Sequence, residues 1–219
     1  MSDPRITVSS SSPNKPRRAR IPFKRARRWR TAFENESQAN VTVFVTPKAF
    51  VRFCAHAGSD LDNEVGGWLL GKWRVDPQTN DQFVIVESVL PARYTRFGSA
   101  FLTFTQDSQV WMVNQLQELY ASRDLVGWYH THPRMGVFLS QYDTWLHQNF
   151  FPESYQVALV IEPHSVSGGF FIRNPQGELD AHRYYGFYEL NNGRKRSVVH
   201  WRNLLPEDEQ MNIQKGEIS

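Results

Sequence analysis

An apolar, β-rich run, Leu125-Val126-Gly127-Trp128-Tyr129, closes on His130-Thr131-His132-Pro133 and is followed at short spacing by Ser140 and Asp143. The run predicts a strand, whose side chains at i and i+2 share a face, so His130 and His132 reach a common point. Pro133 cannot donate to a ladder; it should end the strand and turn the chain through Met135 and Gly136. Ser140 to Phe150 then reads as a short helix with Ser140 at the N-cap and Asp143 at N3. A carboxylate in the first helical turn points back toward the incoming chain, which lets Asp143 fold over the two imidazoles. Two His and one Asp leave the fourth tetrahedral position of a zinc ion for water, the open arrangement of a catalytic site. Plainer readings exist: the Ser140–Asp143 tetrad is also a capping box, and a His-x-His pair at a strand end can be incidental.

A further acid heads the run Glu64-Val65-Gly66-Gly67-Trp68-Leu69-Leu70-Gly71. A Glu opening a glycine-containing apolar strand, then His-x-His-Pro, then seven residues from Pro133 through Leu139, then Ser-x-x-Asp, resembles the JAMM (MPN+) metalloprotease signature. Every motif position is filled. Gly127 to Pro133 and Phe138-Leu139-Ser140 are similar to the deubiquitinating members, and by order of elements the resemblance runs from about Val41 to Leu190. It implies an α/β fold of the MPN (JAB1/MPN, cytidine-deaminase-like) type, a sandwich around a curved mixed sheet. It also implies one Zn2+ per chain on His130, His132 and Asp143. Glu64 would accept a proton from water and deliver it to the leaving amine, and Ser140 would steady the oxyanion, the role the family gives the matching serine. The alternatives are a surface acid at a strand start for Glu64 and a bare helix cap for Ser140.

The same resemblance implies a substrate in which the C-terminal glycine of ubiquitin or a ubiquitin-like protein is joined to a lysine or other amine. The extended tail would lie along Pro91 to Phe104, where Phe101-Leu102-Thr103-Phe104 can add a strand to it, and pass Phe138, an often aromatic family position. Against this stands a core role for Phe101 and Phe104. The second family insertion is very short here, since Asn149 to Ser154 leads almost at once into a strand. Two other classes are a JAMM hydrolase for sulfur-carrier, phage-tail or cell-wall substrates, and a non-enzymatic MPN scaffold or RadC-like nucleic-acid protein. The complete ligand set argues against a scaffold.

The remaining pattern fits one domain. The chain has 219 residues, 40% of them hydrophobic, and residues 40–190 amount to a common domain size. Val41–Val45 reads as a strand, and a helix starts at Pro47 after Thr46 and runs to about Ala57. Glu64–Lys72 and Phe83–Leu90 read as strands, and a helix over Gln106–Tyr120 has Val110, Val113, Leu116, Leu119 and Tyr120 near one face. Tyr155–Ile161, Gly169–Arg173 and Ala181–Leu190 complete the strands. No apolar run approaches the ~20 residues of a membrane span, and no secretory signal follows the basic N-terminus, so a soluble, cytoplasmic protein is expected. The single cysteine, Cys54, excludes an internal disulfide framework and reads as a buried helical thiol.

Residues 1–39 differ in character: they carry +7 of an overall +3, leaving −4 for the rest. Nine of the ten basic residues here fall between Lys15 and Arg30. Such a segment reads as a disordered, solvated basic arm, with recruitment of an activating protein open to it and nucleic acid a less favoured partner. Ile21, Phe23 and Trp29 also leave docking onto the domain itself open. Residues 191–219 read as a polar tail.

Overall fold

The computed structural model describes residues 15–32, 39–93, 96–98, 101–191 and 196–207. In chain order the elements are β1 (Arg17–Arg18), a 3-10 turn (Phe23–Arg25), β2 (Ala26–Arg30), β3 (Thr42–Val45), α1 (Pro47–Ala57), β4 (Gly66–Val75), β5 (Gln82–Pro91), β6 (Arg96–Gly98) and β7 (Phe101–Thr103). They continue with α2 (Gln106–Leu119), β8 (Asp124–Thr131), α3 (Gln141–Phe150), β9 (Val157–Glu162), β10 (Ser167–Phe171), β11 (Phe187–Leu190) and β12 (Leu205–Pro206). Among the described residues, the main sheet runs β10-β9-β8-β4-β5-β3-β11-β2-β12, with β1 added to the far end of β4 and β6 paired to β7 in a separate hairpin. It is mixed: β8 runs parallel to β9, and β3 is parallel to both β5 and β11.

Alternation along the strands sends side chains to two apolar layers. On one face Val43, Val45, Val84, Leu69, Tyr129 and Leu159 pack under α1, which contributes Phe50 and Phe53. On the other, Trp68, Leu70, Trp128 and Val160 pack under α3 and α2 with Leu146 and Phe104. No helix among the described residues is long and apolar enough to cross a membrane. The α1 start is as expected, with Thr46 accepting from Ala49 N at 3.2 Å and Pro47 in the first turn. Cys54 lies on α1 against the core, and burial pushes its thiol up to about 12.

Several expectations are corrected. Glu64 does not open β4; the ladder starts at Gly66, and Glu64 sits in the lead-in. The packed face of α2 is turned from the expected one: Trp111, Met112, Leu116 and Tyr120 meet the core, while Val110 and Leu119 are 51% and 65% exposed. Trp111, whose ring Arg93 covers at 5.2 Å, has more apolar area to bury than either. The strand expected from Ala181 shrinks to Phe187–Leu190, because Leu179, Ala181 and Tyr184 pack into the α3-side layer instead.

The terminal segments are not a free arm and tail. Residues 15–30 form a strap that pairs with β4 at one end and with β11 at the other. Phe23, 44% exposed, lies 5.7 Å from the Phe44 ring and 4.9 Å from Tyr188. Trp29 is buried and donates through Nε1 to Glu189 Oε2 at 3.2 Å. From the C-terminal side, Val199, Trp201 and Leu204 are buried, with Trp201 against Phe50, and β12 pairs with β2. The cause is apolar area: Trp29 is worth more buried than solvated, and Phe23 gives part of its ring to Phe44 and Tyr188. Residues 1–14, 33–38 and 208–219 lie outside the described residues.

Trp29→Ala should therefore destabilise the domain by about 3–5 kcal/mol, read from the midpoint of urea unfolding at unchanged slope. A loss under ~1 kcal/mol, the scale of an exposed substitution, would show that the strap is not part of the cooperative fold.

Candidate metal centre

The centre is assembled where β8 is held between β9 and β4. Gly127 pairs with Val157 of β9 at a φ of +155°, and a Cβ there would stand 2.0 Å from the Val157 carbonyl oxygen, so only glycine permits this approach. Toward β4 the register shifts between Leu69 and Leu70, whose partners are Gly127 and Leu125. This bulge turns Val126 to the α1 side and leaves Trp128 on the α3 side, where its ring stacks on that of His130. His130 pairs with Gly66, and His132 N donates to Ile161 O at 2.9 Å. Thr131, between the histidines, grips the start of β4: its N–H donates to Val65 O at 2.9 Å and its Oγ1 accepts from Val65 N at 2.9 Å. That pair of bonds brings Glu64 beside the imidazoles.

After Pro133 the chain turns through Arg134, at a φ of +61°. The Glu162 carboxylate holds this loop, accepting from Arg134 N at 3.0 Å and His164 N at 2.9 Å. α3 starts as expected, and its first turn is the capping box that the sequence offers. Ser140 and Asp143 form a reciprocal capping box, with Ser140 N donating to Asp143 Oδ2 at 2.8 Å and Asp143 N donating to Ser140 Oγ at 3.1 Å. The same carboxylate also faces the histidines.

His130 Nε2 and His132 Nε2 are 2.9 Å apart, and Asp143 lies 3.3 Å from the first through Oδ1 and 3.4 Å from the second through Oδ2. All three residues are buried. Two imidazole lone pairs at such a distance repel unless a proton or a cation lies between them. A tetrahedral ion with bonds of about 2.0–2.1 Å has ligand–ligand edges of roughly 3.3–3.4 Å, close to the triangle seen here. The donor set of two imidazoles and one carboxylate suits zinc. Glu64 is also buried, with Oε1 3.9 Å from His132 Nε2.

The charges are strongly coupled. Burial pushes the Glu64 carboxyl up to about 7, with Asp143 adding to the rise and His130 opposing it. For Asp143 burial works upward as well, but the charge of His130 and hydrogen bonds from His130, His132 and Ser140 prevail and hold it far below the usual carboxylate range. Burial depresses His132, while on His130 the effect of burial is outweighed by Asp143 and Glu64, which raise it. The same buried site thus pushes its two carboxyls apart, Asp143 down and Glu64 up.

The expected substrate residues are less uniformly placed. Phe138 stands 4.8 Å from the His132 ring and, with Ser140, Thr144, Trp145 and His182, lines a groove that opens beside the centre. Phe104 is core: it is 5% exposed and stacks on Trp68 at 4.8 Å, so it is corrected to a packing residue. Phe101, Leu102 and Thr103 form β7, and their side chains lie outside the described part of the structure. Residues that sequence reasoning missed are Thr131, Glu162 and the pair Trp128 and His147, the last joined by a 3.0 Å hydrogen bond. Only His147 left a local signal, its i+4 spacing from Asp143 on one helix.

A family model described as JAB1/Mov34/MPN/PAD-1 ubiquitin protease matches residues 38–153. The chain is 29% identical over 138 residues to the 26S proteasome non-ATPase regulatory subunit 14 of Caenorhabditis elegans, an alignment covering 61% of this chain and 42% of that one. It is 29% identical over 129 residues to the Ubiquitin carboxyl-terminal hydrolase RPN11 of Saccharomyces cerevisiae, covering 58% and 40%. With the COP9 signalosome complex subunit 5 of Kluyveromyces lactis it shares 31% identity over 154 residues, covering 65% and 38%. The chain spans about two fifths of the length of these relatives.

The Glu64 environment predicts a pH signature in metal-free protein. Between the ordinary value of 4.5 and about 7 the folded chain binds more protons at Glu64 than the unfolded chain. The contribution of Glu64 to stability is therefore complete below 4.5 and is lost as pH rises through 7. Glu64→Gln, which cannot ionise, should gain on wild type across that window in urea melts with chelator present. A stability difference constant with pH would rule out the raised carboxyl.

Proposed function

Because the chain belongs to the JAB1/Mov34/MPN/PAD-1 family, we propose that it is a zinc-dependent isopeptidase that hydrolyses the amide bond between the C-terminal glycine of ubiquitin or a ubiquitin-like protein and an amine. The observation that carries this reading is a buried Glu64, its carboxylate 3.9 Å from His132 Nε2, beside the His130–His132–Asp143 cluster. A zinc ion held by those three residues would supply Lewis acidity and a water acidified toward neutral pH.

The chain's own residues do the rest. Glu64 accepts the proton of the attacking water and returns it to the leaving amine, a task suited to a pKa near the working pH. Asp143, held ionised, stays a carboxylate throughout. Ser140 Oγ lies 2.6 Å from Asp143 Oδ2 and donates to it; turned to the substrate, that hydroxyl would steady the oxyanion of the tetrahedral intermediate. The Phe138 side of the groove receives the end of the substrate tail, and the β6–β7 hairpin offers it strand pairing. A glycine terminus is favoured because a Cβ at the last position would crowd the approach to the buried histidines. Relatives with proteasome, signalosome and ubiquitin-hydrolase names support a conjugate of this kind as substrate.

Metal analysis of the purified chain should return about one zinc per chain, and a His130→Ala/His132→Ala variant should lose it. Unchanged zinc in that variant would sink the ligand assignment. Glu64→Gln should keep its zinc and lose about 10²- to 10⁴-fold in cleavage of an amide-linked ubiquitin-like substrate; near-normal turnover would remove Glu64 from the chemistry. Fusions ending in Gly-Gly should be cut and fusions ending in Ala-Ala spared, whereas equal cleavage would point to a broader peptide hydrolase.

A further inference from the structure

His147 lies on α3 one turn beyond Asp143 and has no exposure to solvent. It takes no part in the chemistry above. Its Nδ1 accepts a hydrogen bond from Trp128 Nε1 at 3.0 Å, which places its own proton on Nε2, a buried atom with no partner among the described residues. Burial, with the nearby Arg173 charge, lowers its pKa, in keeping with a neutral ring whose Nδ1 accepts. The Trp128 ring in turn lies nearly parallel to the His130 ring, 4.5 Å away with 7° between planes. Around this contact the neighbours are apolar: Phe151 stacks 5.8 Å from Trp128, and Phe104 meets it edge-on at 6.0 Å. Apolar walls limit where an indole can sit but are non-directional; the hydrogen bond to His147 is the contact that selects one orientation of the ring. The helix end that carries His147 is itself fixed, since the buried Arg173 donates to the carbonyl of His147 at 3.4 Å and of Phe151 at 2.7 Å.

We propose that His147 is a positioning residue of the metal centre: by holding Trp128 through Nδ1, it sets the plane on which His130 stacks and hence the aim of His130 Nε2 toward His132 and Asp143. α3 thereby supplies one ligand directly and orients a second through an indole. This inference rests on reading His130, His132 and Asp143 as zinc ligands.

Zinc dissociation constants, measured by competition with a chromophoric chelator, test it without reference to activity. His147→Leu keeps the bulk and removes the acceptor, and should weaken zinc by about 10- to 100-fold, the range for residues that orient metal ligands. His147→Asn, whose Oδ1 can stand where Nδ1 stood, should restore most of the affinity. Trp128→Phe retains a stacking ring but removes the donor, so it should weaken zinc by itself, and His147→Leu should add no further loss in that background. If His147→Leu does not fold, the Trp128→Phe and His147→Asn arms still decide. Equal zinc affinity of wild type and His147→Leu, or fully additive losses in the double variant, would overturn the positioning role while leaving the metal site standing. A wild-type chain that takes up no zinc would overturn the site and this inference together.

Discussion

The two hydrogen bonds between Val65 and Thr131 hold the candidate centre together. Thr131 separates the two histidines on β8, and Val65 follows Glu64, so the bonds that anchor the lead-in of β4 also set how far Glu64 stands from the imidazoles. Everything chemical at the site depends on that distance. With Glu64 at 3.9 Å from His132, four ionisable side chains share one buried volume, and their charges act on one another. Loss of the Val65 contact would leave Glu64 on an unpaired loop, free to solvate, and its carboxyl would return to ordinary acidity.

Such a cluster is expensive for a fold to bury, since each charged group gives up hydration that its neighbours must replace. The surrounding backbone is correspondingly well tied down. Gly127 lets β8 approach β9, Glu162 ties down the loop after Pro133, and Arg173 satisfies the carbonyls at the end of α3. Each of these residues acts on backbone rather than on the reacting groups, keeping two strands and a helix end in register around the site.

The termini complete the sheet. The strap of residues 15–30 covers Phe44 and Tyr188 with Phe23, and the segment around Trp201 closes over Phe50 and Phe53. Lys15, Arg17, Arg18, Lys24, Arg25 and Arg27 remain on the outside. A stretch that looked like a solvated arm thus keeps its cations outside and buries Trp29, and the charges obscured the apolar residue that anchors it.

What the sequence by itself determined was whatever depends on near neighbours. The i, i+2 spacing of His130 and His132, the stop at Pro133 and the Ser140–Asp143 box are local rules, and each is seen where those rules put it. The glycine-bearing strands, the helix from Pro47 and the mixed α/β class were legible for the same reason. What only the tertiary structure decided was partner choice between distant segments: Trp128 against His147, the face α2 buries, Phe104 in the core, and residues 17–18, 26–30 and 205–206 in the sheet. These outcomes turn on a bulge that reverses side-chain parity in β8 and on competition among aromatic rings for a limited buried area. Both are sums over many contacts that no short window of residues contains.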